Sequence, residues 1–350
     1  MVTSLDIAGR RIGPGQPCFI IAEAGVNHNG DVALAHQLID AAGMAGADAV
    51  KFQTFNAERL ATPIARKADY QLQHTDRAES QYEMLKRFEL SKDAHRELLD
   101  DCQQRGILFL SSPFDEASAD FLDELGVSAF KIPSGEITNL PFLEHVARKH
   151  RPLIISTGMA YLGEVEAAVR VVEEAGNRQL ALLHCVSNYP ADPADINLRA
   201  MQTMARAFGA PVGYSDHTLG TEIALAAVAL GACIVEKHFT LDRNLPGPDH
   251  QASAEPAELA ALVRGIRTVE AALGNGRKQP SASEANTAAV ARKSLLAACD
   301  IPAGATLTEA MLAIKRPGTG LPPAMREYLI GRVVRAAIPA GSVLALDMFS

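Results

Sequence analysis

The sequence lacks tryptophan, has only five scattered cysteines, and contains no apolar run long enough to span a bilayer. An odd number of cysteines without C-x-x-C spacing argues against a disulfide framework, so we expect reduced core thiols in a cytoplasmic protein. Residues 1–15 contain no apolar segment of the kind found in signal peptides. The net charge of −8 argues against nucleic acid as a partner, while it remains compatible with a local cationic pocket for a small anion.

The sequence does contain a series of short apolar runs that alternate with segments of helical periodicity. Leu34, Leu38 and Ala42, for example, have helical spacing after the first run. Continuous apolar strands that alternate with helices predict a parallel sheet, and eight such units predict a (β/α)8 TIM barrel, which we assign to residues 1–275. The eight runs begin near Cys18, Asp48, Ile107, Ser128, Pro152, Leu180, Pro211 and Ala232.

Four other parts of the chain lie outside this strand–helix pattern. Residues 5–12, with Gly9 at a turn, predict a hairpin that plugs one end of the barrel. Residues 54–90 form a long polar insertion after the second strand, which we expect to be a functional cover. Residues 276–290 read as a polar linker, and residues 291–350 as a small, mostly-β domain. A module of about 60 residues is only marginally stable alone, so we expect it to be docked.

Polar and charged side chains collect directly after the apolar runs. In a parallel barrel these strand ends share one face, where barrel enzymes build their active sites. The sequence therefore predicts an enzyme with its active site at that face. The residues concerned are Glu23, Lys51, Ser112, Lys131, Ser134, Ser156, Tyr189, Ser215, His217, Lys237 and His238.

His217 and His238 lie one strand–helix unit apart, so their rings can converge above the barrel. Two imidazoles with carboxylates nearby suit Mn²⁺, Fe²⁺, Co²⁺ or Zn²⁺. A closed structural zinc site is disfavoured because no cysteine lies close in sequence to either histidine. We interpret His184 as structural, and His28 as a second-sphere or substrate-binding group.

Lys51, Lys131 and Lys237 need an explanation because lysine is strongly disfavoured in a dry core. One of them could be a Schiff-base nucleophile, or two could form an anion cradle with the strand-end serines. Several hydroxyls and small residues favour the phosphate cradle. Glu23 suits an acid, a base or a sugar contact. Residues 187–190 and 246–249 supply amide, phenol and carboxylate groups for a polyhydroxylated substrate.

Ordered motifs extend along nearly the whole chain. They are residues 23–30 (EAGVNHNG), 51–54 (KFQT), 112–114 (SPF), 131–136 (KIPSGE), 156–159 (STGM), 183–185 (LHC), 215–218 (SDHT), 236–240 (EKHFT) and 247–249 (GPD), with 292–294 (RKS) and 315–318 (KRPG) in the tail. Together they resemble the signatures of the bacterial sialic acid synthases, a family that includes N-acetylneuraminate, legionaminate and pseudaminate synthases. The tail resembles the antifreeze-like (SAF) domain, a β-clip, that these enzymes carry.

The resemblance implies that phosphoenolpyruvate condenses with an open-chain N-acetylated amino sugar and water, giving a nine-carbon 2-keto acid and phosphate. It implies a divalent metal, usually Mn²⁺ with Mg²⁺ or Co²⁺ as alternatives, on His217 and His238, and a catalytic role for these histidines and Glu23. It also implies a domain-exchanged homodimer in which Arg316 reaches the partner's site. The phosphoenolpyruvate contacts would be Lys51, Ser112, Lys131, Ser134, Ser156 and Ser215, and the sugar contacts Gln53, Glu136, Ser187, Tyr189, Asp249 and Arg316.

One departure from the family pattern leaves the acceptor open. Some sialic acid synthases have asparagine two residues before the sugar-contacting tyrosine, where this chain has Ser187. We favour N-acetylmannosamine as the acceptor, with a diacetamido-trideoxyhexose as the alternative. A class I aldolase that uses a lysine imine is a rival enzyme. A carbohydrate- or ice-binding protein is a rival of another class, although the tail lacks a regular threonine array.

Overall fold

The structure, a computed structural model, describes residues 4–76 and 78–350, with the backbone alone for residues 73 and 74. The chain divides into two compact units, Met1–Gly274 and Asn275–Ser350. The first unit begins with an antiparallel hairpin, β1 (Leu5–Ile7) and β2 (Arg10–Ile12). The apolar side chains of this hairpin pack against Phe19 and Cys233 at the start of the barrel strands. The hairpin therefore plugs the amino-terminal end of the barrel, as predicted.

Eight parallel strands follow the hairpin and form the barrel. They are numbered β3 to β10 in the order of the chain. Around the barrel their order is β5-β4-β3-β10-β9-β8-β7-β6. The two end strands of this order lie side by side without a hydrogen-bonded ladder between their described residues, so the barrel is nearly closed. The strands are β3 (Phe19–Gly25), β4 (Ala49–Thr54), β5 (Leu108–Pro113), β6 (Phe130–Ile132), β7 (Leu153–Ser156), β8 (Leu180–His184), β9 (Val212–Asp216) and β10 (Ile234–His238).

Each barrel strand is followed by a helix, which confirms the predicted (β/α)8 barrel. Asp31 caps the first helix by accepting a hydrogen bond from the Ala33 amide, and Gly46 ends it with a positive φ of 82°. The helices of this unit are α1 (Val32–Ala45), α2 (Ala57–Leu60), α3 (Asp69–His74), α4 (Gln81–Phe88), α5 (Lys92–Arg105), α6 (Glu116–Leu125), α7 (Leu140–Ala147), α8 (Leu162–Glu174), α9 (Arg199–Phe208), α10 (Glu222–Ala229) and α11 (Pro256–Leu273).

The period of two along each strand separates two layers of the core. On β3, Ile20 and Ala22 pack outwards against the helices, while Ile21 packs into the barrel interior. Glu23 continues the inward series at the carboxyl end of the same strand. The same alternation on the other strands decides which polar side chains reach the mouth of the barrel.

The insertion after β4 is folded and contains α2, α3 and α4. Its Lys67 is buried, and the ammonium group donates to Thr75 Oγ1 at 2.9 Å and contacts Glu79 Oε1 at 2.7 Å. Met84 and Phe88 of α4 pack in a small apolar cluster that also includes residues outside the insertion. The insertion is thus held by an internal ion pair and by apolar contacts that it shares with the barrel.

The second unit has a separate core that includes Leu295, Leu307 and Leu344. Its elements are α12 (Ala285–Ala291), β11 (Ser294–Ala297), β12 (Leu312–Lys315) and α13 (Arg326–Leu329), and β11 pairs with β12 antiparallel. Part of the segment predicted as a linker, residues 276–290, is therefore helical. Within residues 4–76 and 78–350, no helix combines the length and apolar character that crossing a bilayer requires.

Candidate active site

A cavity of about 430 Å³ opens at the carboxyl ends of the barrel strands. Inward-facing residues of the strands and their following loops line it, together with parts of the insertion. Thirteen of the fifteen residues predicted for the site meet there: Glu23, Lys51, Gln53, Ser112, Lys131, Ser134, Ser156, Ser187, Tyr189, Ser215, His217, His238 and Asp249.

The other two predicted site residues do not line this cavity. Glu136 lies in the turn after β6, where its carboxylate accepts a hydrogen bond from Asn139 Nδ2 at 2.7 Å. Arg316 belongs to the second unit, where its Nε donates to the Ala291 carbonyl at 3.0 Å. Lys237 also points away from the barrel interior and pairs with Asp216 Oδ2 at 2.7 Å, so it takes no part in the cradle.

A buried group of alternating charges forms the floor of the cavity. Lys51 Nζ lies 2.7 Å from Glu23 Oε2 and 3.8 Å from Glu236 Oε2, and Lys131 Nζ lies 3.2 Å from Glu236 Oε1. Ser215 Oγ donates to Glu236 Oε1 at 2.9 Å. The two ammonium groups therefore share a small volume with two carboxylates.

The surroundings shift the pKa values of the two carboxylates, Glu23 and Glu236, in opposite directions. Burial raises the pKa of Glu23 to about 7, although the charge of Lys51 opposes the shift. Burial acts in the same sense on Glu236, but Lys131 and Lys51 outweigh it and hold its pKa at about 2. Glu236 is therefore a fixed anion, whereas Glu23 can gain or lose a proton near neutrality.

Glu236 is the central residue that the sequence analysis did not assign. It lies two residues before His238 on β10, so the strand period places both side chains on the inner face. The intervening Lys237 faces outwards for the same reason. The alternation within residues 236–238 was the signal that could have identified the carboxylate.

Hydroxyl groups form a second side of the cavity floor. Ser134 Oγ accepts a hydrogen bond from the Gly158 amide at 3.0 Å and lies 3.1 Å from Cys185 Sγ. Ser156 Oγ is buried and has no hydrogen-bond partner among the described residues. A buried hydroxyl without a partner carries a cost that a bound ligand can remove.

The two predicted metal ligands, His217 and His238, have ring centroids 5.4 Å apart. His217 Nδ1 donates to the Val186 carbonyl at 2.6 Å, which leaves the lone pair of its other ring nitrogen available. His238 Nδ1 is buried without a hydrogen-bond partner and lies 4.0 Å from Asp249 Oδ2. Burial lowers the pKa of both imidazoles, so both are neutral, as metal ligands must be.

This donor set fits a divalent ion held by two imidazoles. No group of three or more histidine, cysteine or acidic side chains suited to a metal occurs among the residues described. His217 and His238 are therefore the two side chains that would hold an ion here, one protein ligand fewer than catalytic zinc sites usually have.

Aromatic rings connect the imidazoles with the insertion. The Tyr189 ring lies 4.2 Å from that of His217 and 5.5 Å from that of His238, and Tyr70 of α3 packs on Tyr189 at 4.9 Å.

His184 and His28 do not line the cavity. His184 donates to the Ile196 carbonyl at 2.6 Å.

A parallel barrel with a charged, hydroxyl-rich cavity at its strand ends has the architecture of a barrel enzyme. Residues 38–278 match the model of the NeuB family, and residues 292–350 match the SAF domain. The chain belongs to the NeuB family, which confirms the resemblance and the enzyme assignment made from the sequence.

The similar proteins include synthases of several related sugar acids. The chain is 50% identical to an N,N'-diacetyllegionaminic acid synthase of Legionella pneumophila, over 95% of this chain and 94% of that protein. It is 50% identical to a Campylobacter jejuni protein of the same name, over 90% and 95% of the two chains. The crystal structure of an N-acetylneuraminic acid synthetase from Leptospira borgpetersenii is 40% identical, with a TM-score of 0.72 over 81% of this chain and 94% of that one.

Proposed function

We propose that this protein condenses phosphoenolpyruvate with an open-chain N-acetylated amino sugar and water, forming a nine-carbon 2-keto acid and phosphate. The observation that carries the proposal is the buried group of Lys51, Lys131 and strand-end hydroxyls, beside two neutral imidazoles and a carboxyl that titrates near neutrality. Membership of the NeuB family supports the same chemistry.

For the acceptor we propose a diacetamido-trideoxyhexose, which would make the product a diacetylated legionaminic acid. The sequence analysis favoured N-acetylmannosamine instead. The two relatives at 50% identity carry the legionaminic acid name, and the structure named for N-acetylneuraminic acid is 40% identical. N-acetylmannosamine and the precursor of pseudaminate are the alternative acceptors, and both belong in the panel of sugars used to test the proposal.

Lys51 and Lys131 suit the binding of the carboxylate and phosphate of phosphoenolpyruvate. Their ammonium groups can donate charge-assisted hydrogen bonds to that anion, while Glu23 and Glu236 offset their positive charge. Ser156 would donate its unpaired hydroxyl to the anion, and Ser112, Ser134 and Ser215 would complete the cradle.

His217 and His238 would hold the divalent ion, for which Mn²⁺ is the proposal and Mg²⁺ or Co²⁺ the alternatives. Such an ion supplies Lewis acidity to the aldehyde oxygen of the sugar, worth several kcal/mol in the transition state. Tyr189 packs on both imidazoles and helps to fix their orientation. Gln53, Ser187 and Asp249 line the same cavity and would bind the polar groups of the acceptor.

The bond changes follow from the substrates. A carbon–carbon bond forms between C3 of phosphoenolpyruvate and the aldehyde carbon as the enol double bond is lost, and the aldehyde oxygen gains a proton to become a hydroxyl group. Water adds at C2 and loses a proton, and the bond from C2 to the bridging oxygen then breaks, which leaves a keto group and releases phosphate with that oxygen. Glu23 would take the proton from the attacking water, since its pKa of about 7 allows exchange near neutrality. Gln53 Nε2 lies 3.4 Å from Glu23 Oε1 and helps to orient the carboxyl.

An imine mechanism fits these residues less well. Burial alone would lower the pKa of Lys51, but the charges of Glu23 and Glu236 outweigh it and raise the pKa above its ordinary value. A protonated ammonium is not a nucleophile, so an imine on Lys51 is disfavoured. Burial lowers the pKa of Lys131, although the charge of Glu236 opposes the shift, so Lys131 is the lysine on which an imine would form. In the proposed reaction borohydride treatment with pyruvate should leave the protein unlabelled, whereas a class I aldolase would gain a stable adduct on Lys131.

We also propose that Arg316 completes the site of a second copy of the chain in a domain-exchanged homodimer. Arg316→Ala and His217→Ala homodimers should both be nearly inactive. After co-refolding, half of the dimers would be mixed and would have one intact site, so about a quarter of wild-type activity should return. No recovery, with mixed dimers verified by mass, would refute the exchange.

The decisive experiment measures phosphate release from phosphoenolpyruvate with a panel of amino sugars, with and without chelation. Activity should vanish with the chelator and return with Mn²⁺. Phosphoenolpyruvate labelled at the bridging oxygen should give labelled phosphate. Label in the keto acid, or release that does not require a sugar, would overturn the proposal.

A further inference from the structure

The cavity has two unlike walls. The strand ends supply the charged and hydroxyl-bearing side described above. The other side comes mainly from the insertion, which contributes apolar side chains together with the uncharged polar side chains of Tyr70, Gln71 and Gln81. Its six apolar side chains are Val26, Leu60, Met84, Leu85, Phe88 and Phe114, which belong with Phe55 to one small hydrophobic cluster. We call these six residues the apolar wall.

The charges of the insertion do not contribute to this side of the cavity. Lys86 lies 3.6 Å from Glu58 and 3.2 Å from Glu89, and Arg87 lies 2.8 Å from Glu79, and none of these side chains lines the cavity. Among the described residues of the insertion, those that do line it are uncharged. A hydroxyl that faced the apolar wall would lose its water without gaining an ionic partner.

The wall packs on the barrel, because Val26 and Phe114 belong to the same apolar cluster as Met84 and Phe88 of α4, and the neighbouring α3 is also held in place. Lys67 holds the segment before α3 through Glu79 and Thr75, and Tyr70 of α3 packs on Tyr189 at 4.9 Å. Tyr189 in turn packs on His217 at 4.2 Å. A sugar whose aldehyde lies at the imidazoles therefore extends along a surface that is already in place, at little cost of ordering.

We infer that the apolar wall binds the methyl-bearing end of the acceptor sugar, and that Leu60 and Leu85 thereby determine the choice of acceptor. The inference rests on the proposed function. A diacetamido-trideoxyhexose has a terminal methyl group and two acetamido methyl groups, whereas N-acetylmannosamine has a terminal hydroxymethyl group and one acetamido group. An apolar pocket discriminates against an added hydroxyl by up to about 100-fold, and against one lost methylene by about 10- to 200-fold.

The test compares kcat/KM for the two sugars in the wild type and in Leu60→Gln and Leu85→Gln. Both leucines are only partly buried, so glutamine can be accommodated. The wild type should prefer the trideoxy sugar at least about tenfold. Each variant should reduce that preference about tenfold by lowering kcat/KM for the trideoxy sugar, with KM for phosphoenolpyruvate unchanged.

Ile64→Gln is the matched control because Ile64 lies in the same insertion, is 89% exposed and does not line the cavity. It should keep the wild-type preference. A wild type that releases phosphate but prefers N-acetylmannosamine, or variants with unchanged preference, would overturn this inference and leave the proposed function standing. A wild type inactive with every amino sugar would refute the proposed function itself.

Discussion

Gly158→Ala should weaken phosphoenolpyruvate binding because the glycine allows a close approach of three polar groups. A side chain at this position would overlap Ser187 Oγ, and its Cβ would lie 2.8 Å from Ser134 Oγ and 3.0 Å from Cys185 Sγ. Gly158 has no positive φ, so the substitution acts through contacts and not through backbone strain.

The expected magnitude follows from these contacts. Ser134 Oγ must retreat by roughly half an ångström to reach an ordinary van der Waals distance. Its present position is fixed by the Gly158 amide at 3.0 Å and by Cys185 Sγ at 3.1 Å, so it cannot retreat without loosening the first bond. We expect a stability cost of about 1–3 kcal/mol from overpacking. A misplaced binding group should raise KM for phosphoenolpyruvate at least about tenfold.

Steady-state kinetics and chemical denaturation measure the two effects separately. The matched control is Gly163→Ala, five residues further along, where an added Cβ meets no atom within 4 Å. Gly163 lies in α8, so alanine there should stabilise the helix by about 0.5–1 kcal/mol and leave KM unchanged. A Gly158→Ala enzyme with wild-type KM for phosphoenolpyruvate would refute the assignment of Ser134 to the anion cradle.

Four other substitutions test separate parts of the first unit. His217→Ala and His238→Ala should each abolish turnover and weaken Mn²⁺ binding in titration calorimetry, because each removes one of the two proposed imidazole ligands. Glu236→Gln should lower the free energy of unfolding by about 3 kcal/mol, since it leaves two buried ammonium groups short of a partner, and phosphoenolpyruvate should stabilise this variant more than the wild type. His36→Gln should destabilise the fold below about pH 6 and have little effect above about pH 9, as thermal unfolding would measure.

The sign of the His36 effect follows from its partners. The Asp101 carboxylate, with that of Glu97, raises the pKa of His36 above its ordinary value, so its ion pairs stabilise the fold at low pH and are lost as the pH rises through the folded-state pKa. An equal cost of the substitution at both pH values would contradict this. His184→Gln is a control for the metal ligands and should keep Mn²⁺ affinity. Unchanged stability in Glu236→Gln would mean that the two lysines do not depend on that carboxylate.

The barrel was predictable because its signal repeats. Each strand is a short apolar run followed by a polar residue, and eight repetitions leave few alternative folds. The site residues that were predicted correctly lie within a few positions of the strand ends. The parallel arrangement of the strands is enough to place such residues on one face of the barrel. Lys51 and Lys131 are of this kind, and so are His217 and His238.

The parts that the sequence did not predict depend on where a side chain points or on contacts between distant segments. Glu236 and Lys237 are neighbours in sequence, and only the strand register decides that the glutamate faces the cavity. Glu136 follows β6 closely, but a turn directs it to Asn139. The apolar wall was hidden because the insertion is polar on average, and the few apolar residues that matter are assembled by α2 and α4.

The described residues of β5 and β6 form no ladder of hydrogen bonds with each other, so these two strands of the barrel are hydrogen-bonded on one side only. Strand β6 is only three residues long, and among the described residues its ladder hydrogen bonds join it only to β7, through pairs that include Lys131 with Ile154. Lys51, by contrast, lies on β4, which is bonded on both sides. Lys51 therefore lies on a strand that is hydrogen-bonded on both sides. Lys131 lies on a strand that is bonded on one side and can separate first when the barrel opens locally. The rigidity of the anion cradle is set on that side by side-chain packing and ion pairing, and not by the sheet.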